Sequence, residues 1–289
     1  MTLLLTGATG YIGSTVLDRL VASGHDVIAV VRSYESAAKV KARGARAVIG
    51  DVTDVSWFAS ALEDADGAIH LAVPDEGAEA FNTAIVDAAI SAYAGTGKRF
   101  VLTSGIWEFG AGDLRDDEPV DPPALVAWRV PIEERLLASD VNAVVVAPGL
   151  VYGRGLGFGN VVADAPRAAS GAIRLVGDGK QHWSWVHVDD LARLYELAVT
   201  SPEASGRIIA VDGTPVPMRA FAEALALAED VPGVEAESAD ASRERLGTAF
   251  ADALLLDERA AGAKARSLGW TPEHTSVLGA VEGREASAA

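Results

Sequence analysis

The run Thr6-Gly7-Ala8-Thr9-Gly10-Tyr11-Ile12-Gly13 holds the residues best suited to gripping an anion. Its three glycines meet three separate needs. Gly7 permits a tight turn, Gly10 lets a diphosphate approach the backbone with no Cβ in the way, and Gly13 lets a helix pack close to a strand. The apolar segment Thr2–Thr6 precedes the run and an amphipathic pattern, Ile12–Ala22, follows it. That context gives the spacing its meaning, because a helix N-terminus then turns free N–H groups and a partial positive charge toward phosphate. Thr9, Tyr11 and Ile12 are read with the glycines as dinucleotide contacts. About twenty residues further on, where an NAD site carries an acid for the ribose 2′-hydroxyl, the chain reads Val30-Val31-Arg32-Ser33. A guanidinium there suits a 2′-phosphate, so NADP(H) is expected in preference to NAD(H).

These residues need a scaffold, and the hydrophobic pattern supplies one. Short runs rich in Val, Ile and Leu recur at Thr2–Thr6, Asp26–Val31, Ala45–Ile49, Gly67–Leu71, Arg99–Thr103 and Asn142–Ala147. Helix-like stretches such as Ala78–Tyr93 and Pro131–Ala138 separate them. Continuous apolar strands alternating with helices predict βαβ units and a doubly wound parallel sheet, an α/β Rossmann fold. Residues 1–150 are expected to form the dinucleotide-binding domain. In 151–289 the rhythm loosens, with one helix-like stretch near Val161–Ala169. Segment 184–211 is expected to return to the large sheet, and the remainder to form a smaller C-terminal substrate lobe.

The 289 residues carry a net charge of −17 and no cysteine. The charge argues against nucleic acid and anionic membranes as partners, since both reward a basic surface. It also means that a site for an anionic ligand must be built locally. Without cysteine there is no disulfide framework or thiolate nucleophile. No apolar stretch reaches the roughly 18 residues of a membrane span, and a cytoplasmic location is the default expectation. His182 and His187 stand five apart with no third ligand at a metal spacing, so no metal is expected. The partner expected is a small-molecule substrate, and the sequence leaves monomer and homodimer both open.

Five motifs, in order, resemble those of the short-chain dehydrogenase/reductase superfamily, in its extended and atypical branches, the NAD-dependent epimerase/dehydratase type. They are Thr6–Gly13; Asp51-Val52; His70-Leu71-Ala72-Val73; Ala147-Pro148-Gly149-Leu150-Val151-Tyr152-Gly153; and Trp185–Ala192. The resemblance spans Thr2 to about Ala198. It implies that Asp51 and Val52 contact the adenine, that Leu71, Ala72 and Val73 pass the cofactor ribose, and that Pro148, Leu150 and Val151 lie along the nicotinamide. Thr103 and Ser104 are expected near the cofactor too. Asp51 has a second reading, as the cap of a helix over Val55–Leu62, and Asp189 and Asp190 read as caps of the helix that follows them.

The resemblance also implies catalysis by a Tyr-x-x-x-Lys pair and a Ser or Thr, and here the chain departs from it. There is no tyrosine between Tyr93 and Tyr152 and no lysine between Lys98 and Lys180. On the helix expected to carry the pair, Pro123–Glu134, Val126 and Val130 occupy its places, and Gly105 stands where the hydroxyl is expected. Glu108, Trp128, Arg129 and His182 are the candidates to have taken over, each with an ordinary structural reading as well. Trp107, Trp128, Trp183 and Trp185 are candidates to wall an aromatic pocket. The function expected is an NADP(H)-dependent oxidoreductase passing hydride to a small, hydrophobic acceptor, best one needing no proton from the protein, such as a quinone, iminium ion or activated alkene. Two alternatives stay open: an epimerase, dehydratase or isomerase on the same scaffold, and a non-catalytic NADP(H)-binding redox sensor.

Overall fold

Leu3 and Leu5 face one hydrophobic layer and Leu4 the other, and this alternation along the first strand sets the architecture. The computed structural model describes residues 1–155 and 157–288. In chain order the first half runs β1 (Thr2–Thr6), α1 (Tyr11–Ala22), β2 (Asp26–Val31), α2 (Tyr34–Ala42), β3 (Arg46–Ile49), α3 (Val55–Glu63), β4 (Gly67–His70), α4 (Ala78–Tyr93), β5 (Arg99–Thr103), β6 (Gly112–Leu114), α5 (Arg129–Leu137) and β7 (Asn142–Pro148). The second half adds β8 (Leu150–Tyr152), α6 (Asn160–Ala163), β9 (Ile173–Arg174), β10 (His182–Trp183), β11 (Trp185–His187), α7 (Val188–Thr200) and β12 (Gly206–Ala210). It closes with β13 (Val216–Pro217), α8 (Met218–Ala228), β14 (Val234–Glu235), α9 (Ala239–Leu246), α10 (Thr248–Leu254), β15 (Glu258–Ala260), α11 (Ala263–Ser267) and α12 (Val277–Ala288).

Seven parallel strands form one sheet in the order β12-β7-β5-β4-β1-β2-β3. Helices α1, α2 and α7 cover one face and α3, α4 and α5 the other. Each fully buried leucine or phenylalanine in these layers is worth roughly 1.5–3 kcal/mol of removal from water. The chain leaves β1 toward β2 on one side and reaches β4 on the other, so the crevice beyond their carboxyl ends is the place where open α/β sheets bind ligands. The β1–β4 register sets Thr6 beside His70 at that crevice.

Gly206–Ala210 joins the large sheet at its edge, whereas Trp185–His187 pairs in parallel with Leu150–Tyr152 in a separate ribbon. A third apolar cluster, including Trp183, Trp185, Met218, Phe221 and Leu254, fills the C-terminal lobe. Two helices differ from expectation, both for proline reasons. The stretch expected near Val161–Ala169 is helical only over Asn160–Ala163, because Pro166 donates no N–H and disfavours helix at the residue before it. Pro122 and Pro123 likewise delay α5. Residues 124–128 form turns, with Val126 and Ala127 N–H both donating to Pro123 O (3.0 and 3.1 Å). The helix starts only at Arg129, and its Pro131 falls in the first turn, where an N–H has no helical partner to lose. No helix among the described residues is long and apolar enough to cross a membrane.

Candidate functional site

The glycine loop packs backbone on backbone. Gly7 adopts φ +72°, and a Cβ there would stand 2.7 Å from the Leu71 carbonyl carbon; a Cβ on Gly13 would stand 2.0 Å from Gly7 O. Gly10 N–H donates to Gly7 O (2.9 Å), closing the turn. Helix α1 then begins with no side-chain cap and no acidic residue in its first turn, so its leading N–H groups face outward unmatched. Thr6 Oγ1 ties the loop to β4. It accepts from Leu71 N–H (3.2 Å) and Ala72 N–H (3.3 Å) and donates to His70 Nδ1 (2.8 Å). Burial, and next the charge of Arg129, push the His70 imidazolium down to about 3, against an opposing backbone hydrogen bond to Ala72, so the ring is neutral and takes that proton. Thr9 and Gly10 are exposed on the loop, and Val73 is exposed beyond β4.

Two cavities lie along the crevice. One, of about 810 Å³, brings together Arg32, Asp51 and Val52 with Ile49, Thr53, Glu76 and Phe81. Arg32 is exposed directly after β2, and Ser33 caps α2 by accepting from Ser36 N–H (3.1 Å). Asp51 does not cap α3. Asp54 does, accepting from Trp57 N–H (3.0 Å), while Asp51 accepts from Thr53 Oγ1 (2.6 Å) and Thr53 N–H (2.9 Å). Those two bonds hold the Asp51 carboxyl below its usual range.

The other cavity, of about 350 Å³, is lined by Tyr11 and Ile12 of α1, residues 103–107 after β5, Val126 and Arg129, residues 148–151 after β7, and Phe158. It therefore brings together Thr103, Ser104, Pro148, Leu150 and Val151. Tyr11 Oη donates to Gly153 O (2.6 Å); burial, with the charge of Asp189 added and Arg154 opposing, pushes the phenol up to about 12. Thr103 Oγ1 donates to His70 O (2.7 Å) and accepts from Tyr195 Oη (2.9 Å). Gly105 is extended, and a Cβ there would meet nothing within 4 Å, so the missing side chain leaves room. Trp107 packs edge-on against Phe158, ring centres 5.7 Å apart, as the aromatic wall.

The four catalytic candidates scatter. Arg129 lines the cavity, donating to Thr103 O at 3.4 Å. Glu108 does not line it; its carboxyl is fully buried near Glu133 and Arg207. Burial first, and the adjacent Glu133 carboxyl second, push Glu108 up to about 9 against the opposing charge of Arg207. Trp128 packs into the layer between α3, α4 and the sheet, with the Arg129 guanidinium 4.6 Å from its ring centre. His182 lies in the C-terminal lobe, bonded to Asp257 at 2.9 Å and away from the cavity. Trp183 and Trp185 fill the lobe core, leaving Trp107 as the tryptophan on the wall. Asp189 and Asp190 sit in the first turn of α7, but its cap is His187, whose Nδ1 accepts from Asp189 N–H. Asp190 is buried and instead accepts from the N–H groups of Glu273 and His274. Sequence reasoning missed Phe158, which follows an irregular glycine-rich stretch with no periodic signal, and Tyr195, whose inward helical position was the only hint.

The pattern of the NAD(P)H-binding family matches residues 7–173, more than half of the chain. The chain belongs to that family. A Streptomyces sp. protein named 3-diazoavenalumate denitrifying reductase is 30% identical over 96% of this chain and 97% of its own. A 2-alkyl-3-oxoalkanoate reductase of Stenotrophomonas maltophilia is 28% identical over 86% of this chain and 81% of its own. The fold is shared with a human epimerase family protein solved with NADPH, at a TM-score of 0.76, 20% identity and 99% coverage of both chains. This NAD(P)H-binding protein thus has the Rossmann architecture of the extended short-chain dehydrogenase/reductases, with reductases among its relatives.

Proposed function

We propose that this protein is an NADPH-dependent reductase acting on a small, apolar acceptor bound in the 350 Å³ cavity. The observation that carries the reading is the position of that cavity, which starts at the mouth of α1 and ends against Trp107 and Phe158. The glycine loop fits a dinucleotide, since the cradle at Gly7 and Gly13 has no space for a Cβ and the α1 amides have no cap. Gly7, Thr9, Gly10, Tyr11, Ile12 and Gly13 would hold the diphosphate and Arg32 the 2′-phosphate. Asp51 and Val52 would contact the adenine, Leu71, Ala72 and Val73 a ribose, and Thr103, Ser104, Pro148, Leu150 and Val151 the nicotinamide end. When bound, the reduced nicotinamide supplies hydride.

The chain's own part is to position the acceptor and exclude water, because the usual proton donor is replaced. Val126 lines the cavity where a tyrosine would be expected, and Tyr11 is held as a phenol donating to Gly153 O. Such a site favours an acceptor that needs no proton from the protein. The Streptomyces relative supports this, since its name joins reduction to loss of nitrogen from a diazo compound. An aryl diazonium that receives a hydride releases nitrogen and requires no proton at the reacting atom. The cavity itself counts against a purely non-catalytic sensor.

Fluorescence titration tests the cofactor half: NADPH should bind tighter than NADH, and equal affinity would remove Arg32 from the reading. Single-turnover mixing with quinone, iminium, enone and aryl diazonium acceptors tests the rest. Failure of every class to oxidise bound NADPH would exclude a reductase.

A further inference from the structure

Beneath the cavity lies a group of buried charges that the glycine loop does not use. Glu108, on the 3₁₀ turn Ile106–Phe109, is fully buried, and Glu133 on α5 nearly so. Arg207 on β12 is 15% exposed, with Nε 3.4 Å from Glu133 and 3.6 Å from Glu108. The Glu108 carboxyl lies within hydrogen-bond reach of Glu133 and Ser104, and a proton held between two buried carboxyls relieves their repulsion. Burial and the neighbouring Glu133 carboxyl favour the protonated form of Glu108.

Arg129 enters this group from the cavity side. Among the described residues its one hydrogen bond is the 3.4 Å contact with Thr103 O, and it has no carboxylate within 4 Å. Among the described residues Arg207 makes the close contacts to both carboxyls, and Arg129 makes none. The arginine that faces the cavity is therefore the one still open to an anion. A half-buried guanidinium with no carboxylate partner gains when an anion joins it. The rest of the wall is apolar and partly aromatic: Ile106, Trp107, Val126, Leu150, Val151 and Phe158.

We propose that the cavity takes a small aromatic or similarly flat apolar compound bearing a carboxylate, and that the carboxylate pairs with Arg129. This rests on the reading of the cavity as the acceptor site and narrows the acceptor's class. The acidic surface of the protein gives such an anion no general attraction, so its recognition falls to this one residue.

Calorimetric titration of the full-length protein, saturated with NADP⁺, tests it with three matched pairs: benzoate, phenylacetate and cinnamate against their methyl esters. At least one acid should bind about tenfold or more tighter than its ester, the scale of a charge-assisted pair in a dry site. Arg129→Gln should abolish that preference and Arg129→Lys should restore part of it, with NADPH affinity and melting temperature measured alongside as checks on the fold. No preference for acid over ester in any pair of the wild-type protein overturns the proposal. So does a preference that survives in Arg129→Gln, or a variant that loses NADPH and keeps the preference, for then the arginine serves the nucleotide. A wild-type protein that selects the acid but binds neither pyridine nucleotide would instead sink the reductase reading and leave the carboxylate site standing.

Discussion

The two ends of the ligand crevice are built in opposite ways. The end at the glycine loop is made of backbone, with amides at the start of α1, a turn closed by Gly10 N–H on Gly7 O, and close approaches at Gly7 and Gly13 that allow no side chain. The end at Trp107 and Phe158 is made of side chains from the β5 and β7 exits, the turn before α5 and the C-terminal lobe, over a buried charge cluster. A backbone site tolerates few substitutions and serves one ligand type. A side-chain site can change its chemistry residue by residue while the fold stays intact. In the present chain Val126 and Gly105 line the second cavity.

Substitutions at the two ends should separate accordingly. Gly13→Ala should be the most damaging: its Cβ would meet Gly7 O at 2.0 Å. Relieving that overlap must shift the loop backbone that would cradle the diphosphate, so NADPH affinity should fall roughly a hundredfold, about 3 kcal/mol; an unchanged fluorescence titration would show that the loop is not the nucleotide site. Arg32→Ala should lower NADPH affinity about tenfold and leave NADH nearly unchanged, as expected for one exposed charge-assisted contact. Equal losses for both nucleotides would assign the arginine another role.

At the side-chain end the effects should appear in pH dependence and stability. Glu108 keeps its proton up to about pH 9 when folded but loses it near its ordinary value of 4.5 when unfolded. Its contribution is therefore fully present below pH 4.5 and declines as pH rises toward 9, because the folded state binds more protons over that range. Buried Asp212, pushed up to about 6 by burial, acts in the same direction at lower pH. Glu108→Gln does not titrate, so it should flatten the fall in Tm between pH 7 and 9. It should melt a few °C above the wild-type protein at pH 9, at about 2–4 °C per kcal/mol. A wild-type Tm flat across this range would mean that Glu108 is ionised. Tyr11→Phe should have the smallest effect. It removes the hydrogen bond to Gly153 O, for a loss of about 1 kcal/mol in denaturant unfolding.

The fold and the glycine-loop end were legible because their signals are local. Strand, turn and helix occupy Thr2–Ala22 without a break, Arg32 follows β2 directly, and period-2 and period-3.6 patterns report burial within one element. The spacing Tyr-x-x-x-Lys does not occur in the sequence, which can be read without geometry. What took its place was not legible. Glu108, Arg129 and His182 looked alike as candidates, yet one lies under the cavity, one lines it and one belongs to the other lobe. Burial and charge balance arise from segments as far apart as Ile106–Phe109, α5 and β12. No window of sequence contains the distances that decide whether a carboxyl keeps its proton or an arginine lacks a partner, and so only the tertiary packing settled them.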